Sequence, residues 1–346
     1  MAYTTVDKAS ANMNAVTYTG NSSVRTISGV GFQPDFVWIK DRGNTGRNNM
    51  VFDALRGATK HIHTNDSDAE ATLADTLTAF TSDGFSLGAD STAGSALVNG
   101  NSNSYISWNF KANGAGSANS DGSITTTSTS ANTASGFSIV KFTATGSAAT
   151  IGHGLGVAPA MIWVKRTSST ADWQVYHKDL GATKYLELSQ TQAVGTSSGR
   201  FNDTAPTSTV FSIGNEWNNG SELIAYCFAE KPGFSKAYTY TANGSQPRFI
   251  HCNFKPIWWI GKASSNGSES WTSYDNKREG YNPQNDRLFP NNDNVEGNET
   301  LIDLVSNGIV IRDTSNGHLN YSNYTYVGMA FGQSIVGSNK VPATAR

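Results

Sequence analysis

Cysteine is nearly absent: the chain has two, Cys227 and Cys252. Two are too few for a disulfide framework, and no Cys or His falls at zinc-site spacing. Each reads as a small buried apolar residue. Charge is scarce as well. Twenty-five basic residues stand against 27 acidic ones, a net of −2, without a block of either sign. That argues against a basic nucleic-acid groove and a polybasic membrane patch. No apolar run approaches the roughly 20 residues that span a bilayer, and MAYTTVDKASANMNAV lacks the basic start and apolar core of a signal peptide. The expectation is folding in a cytoplasm, with no membrane insertion. Long amphipathic helical periods are missing too; residues 71–80 offer at most one short helical turn.

What the chain has in quantity is Gly, Asn, Ser, Thr and aromatic residues, a mixture that suits strands joined by many turns. With 346 residues, two or three domains are the natural prior. Five blocks recur three times in one order. The first is NAVTYTG (14–20), FSIVKFTATG (137–146) and KAYTYTANG (236–244). In the second, Pro34, Pro159 and Pro256 are each followed six residues later by Lys40, Lys165 and Lys262. The third places Phe52, Tyr176 and Tyr274 eleven or twelve residues beyond those lysines. The fourth reads SDGFSLG (82–88), VFSIG (210–214) and SNGIVIR (306–312). The fifth reads YISWNFK (105–111), LIAYCFA (223–229) and YVGMAFG (326–332).

All blocks but the third are short, rich in branched and aromatic residues, and bounded by turn formers, which marks strands. FVWI and MIWV are apolar throughout, as a strand covered on both faces requires, and each lysine then marks the exit into a polar loop. Ile106, Trp108 and Phe110 alternate along the fifth block, the pattern of a half-buried strand. The predicted fold is all-β: three tandem antiparallel β-sandwich units, jelly-roll or lectin-like, of about 95 residues each. A segment 1–12 precedes unit 1 (13–111). Residues 112–136 lack large side chains and read as a flexible or extended linker. Unit 2 (137–230) and unit 3 (234–331) are separated only by KPG, and a tail, 332–346, follows.

Catalytic constellations are not recognisable. The acidic stretch NDSDAEA holds Asp66, Asp68 and Glu70, but it lacks the glycine and distal Glu of a calcium loop and does not recur in the other units. Asp66 and Asp68 are weak metal candidates on a solvated loop. His61 and His63 would share a strand face without a second pair to complete a site. No nucleophile elbow, phosphate loop or dinucleotide fingerprint is present. No cofactor is implied. Trp38 and Trp163 sit at equivalent core-like positions, with Trp259 one residue off that register. Trp173 and Trp271 are equivalent to each other, have polar neighbours, and correspond to Asn49 in unit 1. Trp217 lies in the polar loop GNEWNNGS. Trp217, Trp173 and Trp271 are therefore the weak ligand-binding candidates.

The wording of the blocks resembles a family. PDFVWIKDRG, then Asp53 to Gly57 as D-x-x-RG, SDGFSLG and YISWNFK are similar to a repeat domain of structural proteins of marine tailed bacteriophages. So are IGHGLGVAP, DWQVYHKDLGATKYL, IAYCFAEKPGFSK and VGSNKVPATAR. The resemblance covers nearly the whole chain and carries no catalytic residues. It implies a non-enzymatic virion protein with lectin-like β-sandwich units, a tail-fibre-like adhesin that contacts host surface polysaccharide. Its partners would be other virion proteins, and a homo-oligomer, a trimer above all, would be expected. The alternatives are a capsid or tail decoration protein with purely architectural contacts and a tailspike-like glycan hydrolase, the last requiring paired carboxylates that the sequence does not display. Neither coiled-coil heptads nor a collagen-like run is present, so a compact fibre, a distal tip and a head decoration stay open. The C-terminal tail and the N-terminal segment are candidates for strand addition between chains.

Overall fold

A computed structural model describes residues 4, 6–91, 97–245, 248–313 and 317–334. The expected all-β class holds: the sheets are antiparallel and the two helices are single short turns. The first strand group comprises β1 (Met13–Thr19), β2 (Arg25–Ile27), β3 (Phe36–Asp41), β4 (Met50–Asp53), β5 (Lys60–His63), β6 (Ala71–Thr72), β7 (Leu77–Thr81), β8 (Gly84–Leu87) and β9 (Ser104–Phe110). The second comprises β10 (Ser128–Asn132), β11 (Phe137–Thr143), β12 (Ala149–Gly152), β13 (Pro159–Arg166), β14 (Gln174–His177), β15 (Lys184–Glu187), β16 (Gly195–Thr196), α1 (Ser198–Phe201), β17 (Val210–Ile213) and β18 (Glu222–Ala229). The third comprises β19 (Ser235–Thr241), β20 (Arg248–His251), β21 (Phe254–Ala263), β22 (Thr272–Asp275), β23 (Gln284–Arg287), β24 (Gly297–Val305), β25 (Gly308–Ile311) and β26 (Thr325–Ser334).

Each group has an inner sheet whose pairing begins alike: β1-β9-β3-β4, β11-β18-β13-β14 and β19-β26-β21-β22. Each also has a smaller outer sheet: β2-β8-β7, β12-β17 and β20-β25-β24-β23. Side chains between an inner and an outer sheet form a sandwich core, such as Val37, Ile39, Phe85 and Leu87 in the first group. The other face of every inner sheet enters one core shared by all three groups. At its centre Phe110, Phe228 and Phe331 touch mutually, with centroids 5.7, 5.8 and 5.1 Å apart and edge-to-face ring planes. Such pairs contribute about 0.5–1.5 kcal/mol each beyond their burial.

The apolar run of β3 follows from this double coverage. Phe36 and Trp38 face the shared core while Val37 and Ile39 face the sandwich core. The β9 strand, expected to be half-buried, is covered on both faces for the same reason: Ser107 and Asn109 are also fully buried. Asn109 donates its amide to the carbonyls of Asn14 and Ser107. In β21 the register shifts between Pro256 and Trp258, so that Trp258 opposes Phe331 as Met161 opposes Phe228. Trp258 therefore enters the shared core and Trp259 the third group's sandwich core.

Three local expectations are corrected. Residues 71–80 carry β6 and the start of β7 rather than a helical turn. The third block forms strands β4, β14 and β22. Residues 112–136 are not a free connector: β10 adds to the edge of β11, and Ile124 bridges Ile151 on β12. Small side chains are needed here because the backbone lies directly on the sheet edges. A Cβ on Gly122 would stand 2.2 Å from the Thr150 carbonyl oxygen. The tail expected at 332–346 is described only to Ser334, and its role in assembly lies outside the described residues.

Candidate functional site

The polar chemistry of the chain gathers along the seams between strand groups, at positions the blocks made equivalent. Trp173 donates its indole N–H to the His63 carbonyl of the first group at 2.6 Å. Trp271 does the same to the Glu187 carbonyl of the second at 2.8 Å. Asn49 completes the ring, its Nδ2 donating to Phe289 and Asn292 of the third group at 3.2 and 2.8 Å. All three are buried. Expected as ligand platforms, Trp173 and Trp271 are instead clamps between groups.

Trp217 also corrects an expectation. Its loop is polar, yet the indole packs in the second sandwich core and its Nε1 donates to the Arg200 carbonyl. Neighbours in sequence do not report what folds over a ring. All eight tryptophans are fully buried.

The lysines expected at strand exits are buried too. Lys165 donates to the carbonyls of Ala171, in its own loop, and Ser67, across the seam, at 2.5 and 2.9 Å. Lys262 donates in the same way to Glu269 and, across the seam, to Thr191. Lys40 donates to Arg47 at 2.7 Å. Burial pushes each of the three ammonium groups down to about 8, against the pull of neighbouring carboxylates.

A second ring follows the third block. Asp53 accepts from the Tyr226 hydroxyl of the second group at 2.7 Å and pairs with Arg56. Asp275 accepts from the Trp108 indole of the first group at 3.2 Å and pairs with Arg278 at 2.7 Å. In the second group the place is taken by His177, whose Nε2 lies 3.0 Å from the Gly328 carbonyl of the third. Burial holds His177 below its ordinary value, and its Nδ1 accepts from the Asp179 backbone N–H at 3.3 Å, which leaves Nε2 to carry the donated proton. Arg42 binds Glu296 of the third group through two nitrogens, at 2.9 and 2.6 Å, and Arg278 approaches the same carboxylate at 2.8 Å.

Asp66 and Asp68 meet His63: one ligand atom from each lies within 4.8 Å of the others. His63 Nδ1 stands 2.6 Å from Asp66 Oδ2, the Asn48 amide donates to that oxygen, and the Asp68 backbone N–H donates to Oδ1. Burial alone would raise the Asp66 carboxyl, but the hydrogen bond and charge of His63 outweigh it and leave it below its usual range. One imidazole and two carboxylates are a donor set a divalent cation accepts, with fewer oxygens than calcium takes. Here both oxygens of Asp66 already accept hydrogen bonds. The cluster works as a clasp at the edge of the first seam, where Lys165 reaches the intervening Ser67. His61 and His63 stack on one face, with ring centroids 5.1 Å apart, as their spacing implies, but the contact of His63 with the acids is not legible from that spacing.

Over residues 8–334 the chain matches the family described as a domain of unknown function, DUF7483. The chain belongs to the DUF7483 family. The matched span runs through all three strand groups and through residues 112–136, the extent over which the shared core and the seams tie the chain together. No curated protein matches it. No helix among the described residues is long and apolar enough to cross a membrane.

Proposed function

We propose that this DUF7483 protein is a non-enzymatic structural component of a tailed-bacteriophage virion, serving through architectural contacts with other virion subunits. The observation that carries the reading is where the reactive side chains go. Six of the eight tryptophans, Lys165, Lys262 and the Asp–Arg pairs are spent on holding three sheets to one core. The wording of the blocks, which resembles phage structural proteins, supplies the virion setting. Host adhesion remains the second reading within this proposal, with a favouring observation of its own: Tyr281 and Tyr321 stand 64% and 48% exposed and offer ring faces for sugars. A homo-oligomer, a trimer above all, on the particle belongs to the same proposal.

Antibody raised against the chain and applied to purified virions tests it. Regular labelling of the particle, with no saturable adsorption of the free chain to host cells, is expected. Saturable adsorption that Tyr281→Ala or Tyr321→Ala removes would select the adhesin. Absence of the chain from purified particles by mass spectrometry would overturn both.

A further inference from the structure

We propose that the third strand group is an acceptor for an extended acidic peptide segment of another protein, which would lie along the open edge of β19 in the groove between β19 and β20. The inference is independent of the virion setting. It starts from the second group, where the equivalent cleft is already filled. Even-numbered residues of β11 face β18, as the bonds Ala229 N–H to Gly136 and Ala144 N–H to Ser221 show. The odd-numbered residues therefore face outward, and β10 pairs with them. On the facing outer strand, Thr150 presents its carbonyl outward and Ile124 N–H takes it at 3.1 Å. Residues 117–132 double back as a hairpin, Ser117 opposite Thr129, whose second arm β10 pairs with β11 while Ile124 near its tip reaches β12, so this segment occupies the space between the edges of β11 and β12.

In the third group the same reasoning applies to β19 and β20. Bonds from Ala242 N–H to Tyr324 and from Gly332 N–H to Phe234 show that even-numbered residues face β26. Ala237, Thr239 and Thr241 face outward. Ala237 N–H is taken by the Glu230 carboxylate at 3.1 Å. No described strand pairs with the outward edge at Thr239 or Thr241. On β20, Cys252 N–H binds Asn307, so the neighbouring odd positions Phe249 and His251 face outward. Phe249 stands where Thr150 stands in the second group, and its ring is 44% exposed. Between the two edges lies a groove of about 390 Å³. An unpaired strand edge is a ready template for a further strand.

Charge selects the occupant. Lys178, Lys236 and Arg248 line the groove against Asp179, with Glu230 already paired to Lys178 at 2.6 Å. Lys236 reaches across to the His251 carbonyl, and Arg248 lies over the Tyr240 ring. A strand carrying carboxylates meets complementary charge here, which sets partner and register.

The probe is a fluorescent peptide of residues 117–132 carrying Ser128→Glu and Asn132→Glu, titrated into the full chain at low and high salt. Binding that weakens with salt, falls at least tenfold with Arg248→Glu, and is abolished by Thr239→Pro is expected. Proline removes the N–H at an edge position where the fold itself does not use it, and melting curves check that both variants fold. Thr241→Pro serves if Thr239→Pro does not. Failure of the peptide to bind, or equal binding to the proline variants, would overturn the proposal. So would binding of an acidic oligosaccharide, oligogalacturonate, that depends on Arg248 and is indifferent to the proline, with no binding of the peptide.

Discussion

The second and third strand groups share pairing order, seam lysine and bulged central strand, yet one closes its sandwich edge with its own chain and the other leaves it open. The difference arises from chain length between groups. Twenty-five residues, 112–136, precede β11 and can fold back over it, whereas only the five residues Glu230 to Phe234 separate β18 from β19. With no segment to spare, β19 receives one carboxylate, from Glu230, in place of a strand. The comparison teaches that the shared core and the seams define the fold, while edge coverage is supplied locally and can be supplied by another chain.

The largest effects are expected where the two groups differ within the seam. Asp275→Ala leaves Arg278 as a buried, less compensated cation, so a loss of about 3–5 kcal/mol is expected. His177→Ala, at the equivalent place, removes a neutral hydrogen bond, and about 1–3 kcal/mol is expected. Urea denaturation of both variants measures the contrast, and equal losses would mean that the buried ion pair matters no more than the neutral hydrogen bond that takes its place.

Proline at the edges comes next. Lys141→Pro breaks the contact of β11 with β10 and is expected to cost about 1–3 kcal/mol. Thr239→Pro, at the matching position of β19, is expected to change stability by less than about 1 kcal/mol. Gly122→Ala should cost about 1–3 kcal/mol, because its Cβ would meet the backbone of Thr150, and a melting series would show it. A shift no larger than that of Gly43→Ala, which meets no atom within 4 Å and has no positive φ, would remove the argument for close approach.

The smallest effect concerns pH and is common to all groups. Folding lowers the three equivalent lysines, Lys40, Lys165 and Lys262, to about 8, below their unfolded value of about 10.4. The unfolded chain then binds more protons between those values, so stability rises with pH from about 8 toward 10. Buried Tyr226, Tyr238 and Tyr240, raised well above their ordinary value by burial, act oppositely: their contribution is lost above about pH 10. Denaturation midpoints across that range should pass through a maximum. Lys40→Met, Lys165→Met and Lys262→Met combined should flatten the rising limb.

Sequence alone carried the strand positions and the covered central strand, because double burial leaves an unbroken apolar run such as FVWI. It carried the equivalence of Asn49, Trp173 and Trp271 by spacing, but not their meaning. A polar neighbourhood in sequence suggested solvent, whereas those neighbours face a second strand group across a seam. The fixed six-residue step from proline to Lys40, Lys165 and Lys262 held a signal that was misread: a charge kept at one position of an apolar strand marks a buried donor as well as an exit. Residues 112–136 were misleading for a physical reason. A segment held by its backbone needs no large side chains, and its composition then matches that of a linker.

Amide hydrogen exchange at Lys141 and Thr239 in the isolated chain tests the central comparison most directly. Lys141 should be protected by β10 and Thr239 should exchange as an open edge does, orders of magnitude faster. Equal protection at the two amides would show that the third group is already closed and would contradict the account.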